Sequence, residues 1–515
     1  MNPITLDPAA PLTPGMVVDA ARHHARVELA PSVGGVVRSC RAGLERMLDD
    51  GAAHYGINTG FGSLSNKRID RRDLATLQRN LIRSHAAGVG APLPVEVVRG
   101  MMVVLAASLA RGRSGVRLEL VEQVLAVLNA GITPVVPESG SVGASGDLAP
   151  LAHASLVLIG EGEAFVGGRR MPGGEALRAA GLEPIGLAAK EGLALINGTH
   201  LMCARMALIC EDLHRVFKGA LHACAMSIDA CRASHGFLDA RIYRARNQPG
   251  ADRVAAGLRG LLAGSSIVTS HAVGDPRVQD PYSFRCAPLV LGAALDAFEA
   301  CEDRLRDELG AVTDNPLIFP DPDPSNPGGV DIVSAGCFHG MPVALPLDML
   351  AIAIGHIAGI SERRVYHMLS VFDPHSGLKA FLSPKPGLQS GFMIVQYAAA
   401  AMCNEMVGLA NPASVANIST CAGMEDYNSF GPRSAAKAAR AVDLCRSVVA
   451  IELLCAAEAV EAHRPHRSGD IVERTIATIR DRVPALTEDR SPTPDIGAIE
   501  DLVRGGHLTA PEWDS

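Results

Sequence analysis

Five long stretches with few helix-breaking residues lie beyond residue 197 of this 515-residue chain. Each combines sparse glycine with alanine-rich faces, a pattern that predicts long α-helices packed side by side in an up-down bundle. Many of these faces are apolar on more than one side, so we infer that the bundle also buries surface against other subunits. The five stretches are residues 199–234, 287–309, 345–369, 391–409 and 433–463.

The part of the chain that precedes these stretches alternates short helical patterns with loops rich in glycine and proline. Leu74 and Leu81 lie at helical spacing, and Gly88 predicts the end of that helix. Further helices are predicted over residues 95–110 and 118–128, and another begins after the serine-bearing loop described below. The segment "AFVGGRRMPGGEAL" predicts a short hairpin or a loop.

The composition agrees with a helical fold. Aromatic residues make up only 4% of the chain, so Ala, Leu, Val and Met must fill the core, and these residues suit helices better than sheets. The predicted fold class is mainly α. An N-terminal loop-and-helix region over residues 1–195 is followed by a long-helix bundle and a C-terminal helical region over residues 196–515.

Charge and cysteine content exclude several classes of partner. The formal net charge is -8 and no basic run is present, so neither nucleic acid nor a membrane surface is an expected partner. The apolar segment "GFMIVQYAAAAMCNEMVGLA" contains Gln396, Asn404 and Glu405, which predicts a buried helix rather than a membrane span. The start of the chain does not resemble a signal peptide. Twelve cysteines without a C-x-x-C pair predict thiols in a reducing cytoplasm, and no metal-site motif is found.

A serine in the loop "ESGSVGASGDLAPLAH" has no histidine near it in sequence to act as its base. The nucleophile elbow G-x-S-x-G fails because Asp147 stands at its last place, and no phosphate-loop lysine follows. One interpretation is a flexible loop that leads into a helix. The other is chemical: the amide nitrogen of Gly146 attacks the carbonyl carbon of Ala144, and loss of water, with the Ser145 hydroxyl leaving as a second water, gives a ring with an exocyclic methylidene carbon. Glycine permits the close backbone approach that such a ring needs.

Seven sequence blocks together resemble the MIO-dependent aromatic amino acid ammonia-lyase family, whose members build a methylidene-imidazolone (MIO) group from Ala-Ser-Gly. The blocks follow the order of that family and cover nearly the whole chain. They are "YGINTGFG" at 55–62, "GSVGASGDLAPLAH" at 140–153, "KEGLALINGT" at 190–199, "QDPYSFRC" at 279–286, "DNPLIF" at 314–319, "ISERR" at 360–364 and "SGFMIVQ" at 390–396.

The resemblance implies roles for residues that also have ordinary structural interpretations. Tyr55 would be the base that removes the β-proton, and its pKa would have to be lowered by a cationic or helix-dipole environment. Asn197 would hydrogen-bond around the substrate and the electrophile. Arg285 would clamp the substrate carboxylate through two parallel hydrogen bonds, with Gln279 and Tyr282 holding the amino group and the MIO ring. No external cofactor is implied.

Two further residues indicate which side chain the substrate carries. In the family, histidine-directed members have Ser-His where this chain has His85 and glutamate where it has Glu425. A carboxylate and an imidazole could hydrogen-bond both ring nitrogens of histidine, whereas a benzyl ring would leave them unpaired. His85 could equally be a core histidine and Glu425 an acidic residue near a helix N-terminus. Phe338 would pack against the substrate ring or the MIO group, or be an ordinary core residue.

The resemblance therefore implies elimination of ammonia from L-histidine to give trans-urocanate, in a homotetramer whose active sites draw on more than one subunit. Cys337, Met424 and His200 depart from the pattern of histidine-directed relatives, and the first two predict a less polar pocket. Alternatives are the same chemistry on tyrosine, phenylalanine or a modified histidine, a 2,3-aminomutase, and a helical scaffold without activity.

Overall fold

The computed structural model describes residues 2–48, 53–320, 329–370 and 373–508. Helices dominate these residues, as the composition predicts. The nineteen α-helices found there are α1 (Pro14–Arg22), α2 (Pro31–Met47), α3 (Leu74–His85), α4 (Val95–Ala110), α5 (Leu118–Asn129), α6 (Leu148–Leu158), α7 (Gly173–Ala179), α8 (Glu191–Ile196), α9 (His200–Ala230), α10 (Ala240–Arg246), α11 (Pro249–Leu261), α12 (Ser266–Ser270), α13 (Tyr282–Arg285), α14 (Ala287–Leu309), α15 (Met341–Leu369), α16 (Met393–Leu409), α17 (Gly431–Glu461), α18 (Asp470–Arg480) and α19 (Thr493–Arg504).

Strands are few and short. β1 and β2 pair in parallel, and the other pairs, β3 with β5, β4 with β6, β6 with β7 and β8 with β9, are antiparallel. The strands are β1 (Ile4–Leu6), β2 (Val27–Leu29), β3 (Val89–Pro92), β4 (Thr133–Pro134), β5 (Pro137–Ser139), β6 (Glu163–Val166), β7 (Arg169–Pro172), β8 (Leu317–Pro320) and β9 (Val330–Val333).

The elements predicted before residue 190 are confirmed. α4 has both of its predicted ends, α5 extends one residue beyond its predicted end, and α3 ends at His85, before the predicted stop. The hairpin is formed by β6 and β7, whose connecting residues Gly167 and Gly168 both have positive φ. A turn of this kind requires such angles, which is why glycine occupies both positions.

The long helices are also where the sequence predicts them. α14 matches its stretch at both ends, and α9, α16 and α17 differ by a few residues. α15 begins at Met341, one turn before the predicted start, and contains Pro346. It is the one described helix with the length and apolarity to cross a membrane, but 61% of its most apolar window is buried inside the protein, which is typical of a core helix.

The chain divides into two compact units. The first contains residues Met1–Glu211, Glu302–Asp348 and Pro412–Ala436. The second contains Asp212–Cys301, Met349–Asn411 and Lys437–Ser515. The division of the sequence at residues 195 and 196 stays a prediction.

Three helices of the first unit, α3, α6 and α8, pack against one another and carry or precede residues of the site. α8 lies so close to α3 that a Cβ on Gly192 would stand 2.6 Å from the carbonyl oxygen of Gln78. The Gln78 side chain accepts the Leu193 N–H at 3.1 Å. Glycine at position 192 is therefore required by the close approach of the two backbones.

The second unit packs α10, α11 and α18 together and contains a fully buried ion pair. Arg364 donates to Glu452 at 2.9 Å, and neither side chain is exposed to solvent. The hydroxyl of Ser227 donates to the same carboxylate at 2.7 Å. The ion pair and the hydrogen bonds to Glu452 offset the free-energy cost of removing its carboxylate from water.

Candidate active site

A cavity of about 470 Å³ in the first unit has the size of a small-molecule site. Six of the residues singled out from the sequence line it, namely Tyr55, His85, Ser145, Asn197, Phe338 and Glu425. Apolar side chains form much of the remaining wall, among them Phe61, Leu77, Leu81, Leu148, Leu193 and Ile196. The cavity thus joins residues that are up to 370 positions apart in the sequence.

The backbone around the reactive serine is held against the segment that follows Asn197. The Gly198 N–H donates to the carbonyl oxygen of Ser145 at 3.1 Å, and the Asp147 N–H donates to the carbonyl oxygen of Gly198 at 2.7 Å. Gly146 has φ of 74°, and a Cβ there would lie 2.0 Å from the Gly198 oxygen. No residue other than glycine fits this position.

The other side of the loop is held by the segment before α17. The Ser429 hydroxyl donates to the carbonyl oxygen of Gly143 at 3.0 Å, and the Phe430 N–H donates to that of Val142 at 2.9 Å. Gly143 has φ of 69°, and a Cβ there would lie 2.1 Å from the Ser429 oxygen. Hydrogen bonds therefore fix the loop on both sides, and its close contacts require glycine at positions 143 and 146.

Three helix N-termini converge on this loop. α6 starts at Leu148 directly after it, α9 starts two residues after Gly198, and α17 starts directly after Phe430. Each N-terminus carries a partial positive charge. Together the three N-termini would withdraw electron density from a group formed by the loop.

Asp147 follows the Ala-Ser-Gly triplet and is fully buried. Its Oδ2 atom accepts the N–H groups of Leu201 at 2.9 Å and Met202 at 3.1 Å, in the first turn of α9. Burial raises the pKa of Asp147 to about 7, although these hydrogen bonds and the charge of Arg205 oppose the rise. Its carboxylate thus ties the loop to the start of α9.

The residues of the loop fit an MIO group. The close contact at Gly146 leaves no space for a larger residue, Ala144 adds little bulk, and Ser145 faces the cavity. Asn197 lines the same cavity and its buried Oδ1 atom has no hydrogen-bond partner among the described residues. The loop therefore combines a closely packed Gly146 with the Ser145 hydroxyl, and the cavity also contains the unpaired acceptor oxygen of Asn197.

Tyr55 lines the cavity on a loop of the first unit. Its oxygen accepts the Gly62 N–H at 3.3 Å. Burial raises the pKa of Tyr55, and the negative charge of Glu425 raises it further, while the Gly62 hydrogen bond opposes the rise. In the single chain the pKa of Tyr55 is therefore raised rather than lowered, because burial and a neighbouring carboxylate both disfavour the phenolate.

His85 occupies the last position of α3, with its ring at the cavity. Its Nδ1 atom lies 2.9 Å from the carbonyl oxygen of Leu81 and 3.1 Å from the hydroxyl of Ser84. Because a carbonyl oxygen only accepts, the 2.9 Å contact places the proton on Nδ1 and leaves Nε2 as an acceptor. Burial lowers the pKa of His85, which favours the neutral ring, although Leu81 and the charge of Glu425 oppose this.

Glu425 lies at the end of a tight turn that points its carboxylate at the cavity. Its Oε2 atom accepts the hydroxyl of Thr420 at 2.9 Å, and the two residues also pair through their backbones. Cys421 and Ala422 inside this turn both have positive φ, a rare conformation for side-chain-bearing residues. A strained turn thus fixes one carboxylate oxygen and leaves Oε1 available to a ligand.

The departures from the family pattern have different outcomes. Phe338 lines the cavity, but its neighbour Cys337 is exposed and does not. Met424 is 60% exposed and does not line the cavity either. The expectation that these two residues make the pocket less polar is therefore wrong for this chain, since their side chains do not face it.

His200, the third departure, is buried at the first position of α9. Neither of its ring nitrogens has a hydrogen-bond partner among the described residues. Burial lowers the pKa of His200 to about 4, although the charge of Asp314 opposes this. The ring is consequently neutral at pH 7.

We expect His200→Gln to make the protein more resistant to acid. The pKa of His200 is about 4 in the folded chain and 6.5 as a free side chain, so the unfolded state binds the proton first as pH falls and stability drops between these values. Each pKa unit corresponds to about 1.4 kcal/mol, so the drop is on the order of 3 kcal/mol. Urea unfolding at pH 7 and pH 4.5 measures it, and an equal drop in both proteins would contradict the assignment.

Gln279, Tyr282 and Arg285 belong to the second unit and are not among the residues that line the cavity. Tyr282 is 69% exposed, and Gln279 is exposed as well. The Arg285 guanidinium lies 4.4 Å from the centre of the Tyr282 ring, and its Nε donates to the carbonyl oxygen of Asp280 at 2.9 Å. On the second unit the side chains of Arg285 and Tyr282 therefore contact each other.

Two charged residues beside the site received no role from the sequence. Lys190 and Asp314 are buried and form an ion pair of 2.6 Å next to Asn197. A signal was present, since Lys190 and Glu191 interrupt an apolar run and a buried cation requires an anion. Within the described ranges, the structure contains no cluster of histidine, cysteine, aspartate and glutamate that could hold a metal ion.

Comparison with known proteins places this site in a family. The model of the aromatic amino acid lyase family matches residues 12–481. The histidine ammonia-lyase of Anaeromyxobacter sp. (strain K) is 50% identical over 505 residues, which are 96% of this chain and 98% of that protein. A crystal structure of histidine ammonia-lyase from Trypanosoma cruzi matches with a TM-score of 0.89 and 38% identity, covering 98% of this chain and 94% of that one. Tyrosine aminomutase from Streptomyces globisporus matches with a TM-score of 0.91 and 32% identity, covering 98% and 97%.

Proposed function

The chain belongs to the aromatic amino acid lyase family, and on that premise we propose that it eliminates ammonia from L-histidine to give trans-urocanate. It is an ammonia-lyase of the carbon–nitrogen class. The relatives named histidine ammonia-lyase share half of its residues over nearly its whole length, whereas the aminomutase shares a third.

The observation that carries the proposal is the presence of His85 and Glu425 in the same cavity as Ser145. With Nδ1–H donating to the Leu81 carbonyl, His85 offers Nε2 as an acceptor, and Glu425 offers the acceptor Oε1. The protonated imidazole of histidine has two N–H donors, so this pair complements it. The side chains of phenylalanine and tyrosine would leave at least one of them buried and unpaired, at a cost in free energy.

We propose that Ala144, Ser145 and Gly146 form the MIO group without another protein. The family is one of MIO-dependent lyases, with which such a group is consistent. The MIO would supply an electrophilic carbon to which the amino group of the substrate can bond. The bonded amino group is a better leaving group than the free one. No external cofactor enters the proposal.

The residues of the chain would then bind the substrate and move its proton. Tyr55 accepts the β-proton, and Asn197 offers its Oδ1 to the amino group. Phe338 packs against the substrate ring or the MIO group. The β-proton is weakly acidic, so its removal depends on close placement by the imidazole-binding pair at the far end of the substrate.

Arg285, Gln279 and Tyr282 would complete the site from another subunit of a homotetramer. A guanidinium is the appropriate partner for the substrate carboxylate, with Gln279 and Tyr282 near the amino group and the ring. The loop that carries them exposes Val273 and Val278, each 95% accessible, which is typical of a surface that a partner covers. The first unit also exposes apolar side chains near Glu425, including Ile418 and Tyr427.

We also propose a cytoplasmic location and a single small-molecule substrate. The twelve cysteines carry thiols rather than disulfides, which suits a reducing compartment. The net charge of -8 gives no attraction to nucleic acid or to an anionic membrane surface.

Incubation of the purified protein with L-histidine tests the function directly. We expect the ultraviolet absorbance of urocanate to appear together with one equivalent of free ammonia. A β-amino acid without ammonia would instead indicate an aminomutase. Conversion of tyrosine, phenylalanine or a modified histidine, without conversion of histidine, would show that the substrate is that amino acid. No product from any of them would indicate an inactive scaffold.

Glu425→Gln should reduce kcat/KM for L-histidine by about a hundredfold, because the charged acceptor for the substrate N–H is lost. Slow turnover of tyrosine or phenylalanine, where present, should fall far less. Asp426→Asn is the matched control, since Asp426 is the exposed neighbouring acid and does not line the cavity. Equal losses for all three substrates would argue against the recognition of imidazole by Glu425.

A further inference from the structure

The two ends of the Asn197 amide have different surroundings. Its Nδ2 atom donates to Oδ1 of Asp314 at 3.3 Å and to the carbonyl oxygen of Asn315 at 3.2 Å. Its Oδ1 atom is buried and lacks a hydrogen-bond partner in the part of the chain that the structure describes. Because both neighbours of Nδ2 are acceptors, the reversed amide would place oxygen against oxygen. Oδ1 is thereby left as the acceptor that this side chain offers to a ligand in the cavity.

Asp314 is held in position because both of its oxygens accept hydrogen bonds. Lys190 Nζ donates to Oδ2 at 2.6 Å, and the side chains of Lys190 and Asp314 are 0% and 2% exposed. The backbone N–H of Asn315 donates to Oδ1 at 2.6 Å. A buried carboxylate that is paired with a cation in this way presents a charged, immobile acceptor to Asn197.

The chain places the cation and the amide at opposite ends of one short helix. Lys190 directly precedes α8 and Asn197 directly follows it. Lys190 has φ of 73°, a conformation that costs energy for a residue with a side chain. Since its ammonium nonetheless reaches Asp314, the same carboxylate is anchored to both ends of α8.

We propose that the Lys190–Asp314 pair is a positioning device that fixes the orientation of the Asn197 amide, so that an acceptor rather than a donor faces the amino group of the substrate. Neither Lys190 nor Asp314 lines the cavity, so neither is a catalytic residue. The inference rests on the proposed function, in which the amino group reacts beside Ser145. It adds the reason why the amide has the required orientation.

Asp314→Asn tests the device because it keeps the shape and removes the second acceptor oxygen. In either orientation the NH₂ of the new amide meets a donor, which is the Lys190 ammonium on one side or the N–H groups of Asn315 and Asn197 on the other. The fixed acceptor that holds the Asn197 amide is therefore lost. We expect kcat for the wild-type substrate to fall by about tenfold to a hundredfold, the range seen when one preorganised hydrogen bond is lost.

A double-mutant cycle with Asn197→Ala separates positioning from a structural role. If Asp314 acts through Asn197, Asp314→Asn should change kcat less than about twofold once Asn197 is already alanine. Multiplicative losses in the double variant would overturn the proposal. Unchanged kcat in Asp314→Asn alone would overturn it as well.

A second variant covers the possibility that a buried, unpaired Lys190 prevents folding. Lys190→Met combined with Asp314→Asn removes both charges, and neutral replacement of a buried pair is generally tolerated. The cycle with Asn197→Ala is repeated with this pair of substitutions in place of Asp314→Asn. The effect of the pair on kcat should again disappear once Asn197 is alanine.

Glu191→Gln is the matched control for disturbance of α8. Glu191 is 0% exposed and pairs with Arg117 at 2.7 Å, but it does not line the cavity. This variant should lose thermal stability while its kcat stays independent of Asn197 in the corresponding cycle. Coupling as strong as that of Asp314 would reduce the Lys190–Asp314 pair to a structural element and overturn the proposal.

The intact mass of each variant completes the experiment. We expect Asp314→Asn to show the loss of two waters, as the wild type does, so that the fall in kcat reflects orientation alone. Absence of that loss would show that the pair serves formation of the electrophile, and the proposal would fail. Failure of the wild type to convert histidine would contradict the proposed function instead, and the cycles would be measured with whichever aromatic amino acid is converted.

Discussion

Ser145→Ala is expected to lower kcat for L-histidine by about a thousandfold or more while the protein still folds. In the proposed ring closure the hydroxyl of Ser145 leaves as water, so alanine could not provide the methylidene carbon. The backbone of residue 145 makes the contact that holds the loop, because its carbonyl oxygen accepts the Gly198 N–H at 3.1 Å. Alanine retains that contact, and the helices around the loop should be unchanged.

Mass spectrometry and kinetics of the same preparations measure this outcome. The intact wild-type chain should be lighter than its sequence by two waters, and the Ser145→Ala chain should have its full mass. Ser155→Ala is the matched control, since Ser155 is a buried serine of α6 whose hydroxyl bonds to the Leu151 carbonyl at 2.7 Å and which does not line the cavity. Near-normal turnover by Ser145→Ala would refute the mechanism.

Features of the fold that depend on neighbouring residues could be predicted from the sequence. Both ends of α4 and α14 follow from the change between apolar periodicity and breaker residues. The start of α15 could not be placed, because proline is typical of the first turn of a helix and Pro346 instead lies inside this one. Local sequence patterns therefore predict where the helices lie, and the differences between prediction and structure occur at the helix ends.

Features of the site that depend on long-range contact could be predicted only in part. Tyr55 was found because it lies in one of the seven sequence blocks, and His85 and Glu425 because they match the residues of histidine-directed members of the family. The cavity brings the three together. The pairing of Lys190 with Asp314, which are 124 positions apart, has no local signal beyond an isolated buried charge. The direction of the Tyr55 pKa shift also depends on burial and on Glu425, which sequence spacing does not reveal.

Tyr55→Phe is expected to lower kcat for L-histidine by about a hundredfold to ten-thousandfold, the usual contribution of a positioned base. The substitution removes only the phenol oxygen and keeps the ring in the cavity wall. The hydrogen bond that it deletes is the 3.3 Å contact with the Gly62 N–H, so little stability should be lost. KM for L-histidine should change less than kcat, because the imidazole-binding residues are untouched.

The pH profile should carry the signature of the same phenol. A phenol must lose its proton before it can accept another, and burial and Glu425 both raise the pKa of Tyr55 above its ordinary value of about 10. The reactive form therefore increases as pH rises, and kcat/KM should increase through the alkaline range. Glu425→Gln removes one cause of the raised pKa, so this alkaline limb should move to lower pH.

Tyr243→Phe is the matched control, since Tyr243 is 3% exposed, donates to the Phe237 carbonyl at 2.8 Å and lies outside the cavity lining. An alkaline limb that persists in Tyr55→Phe would assign the β-proton to another base.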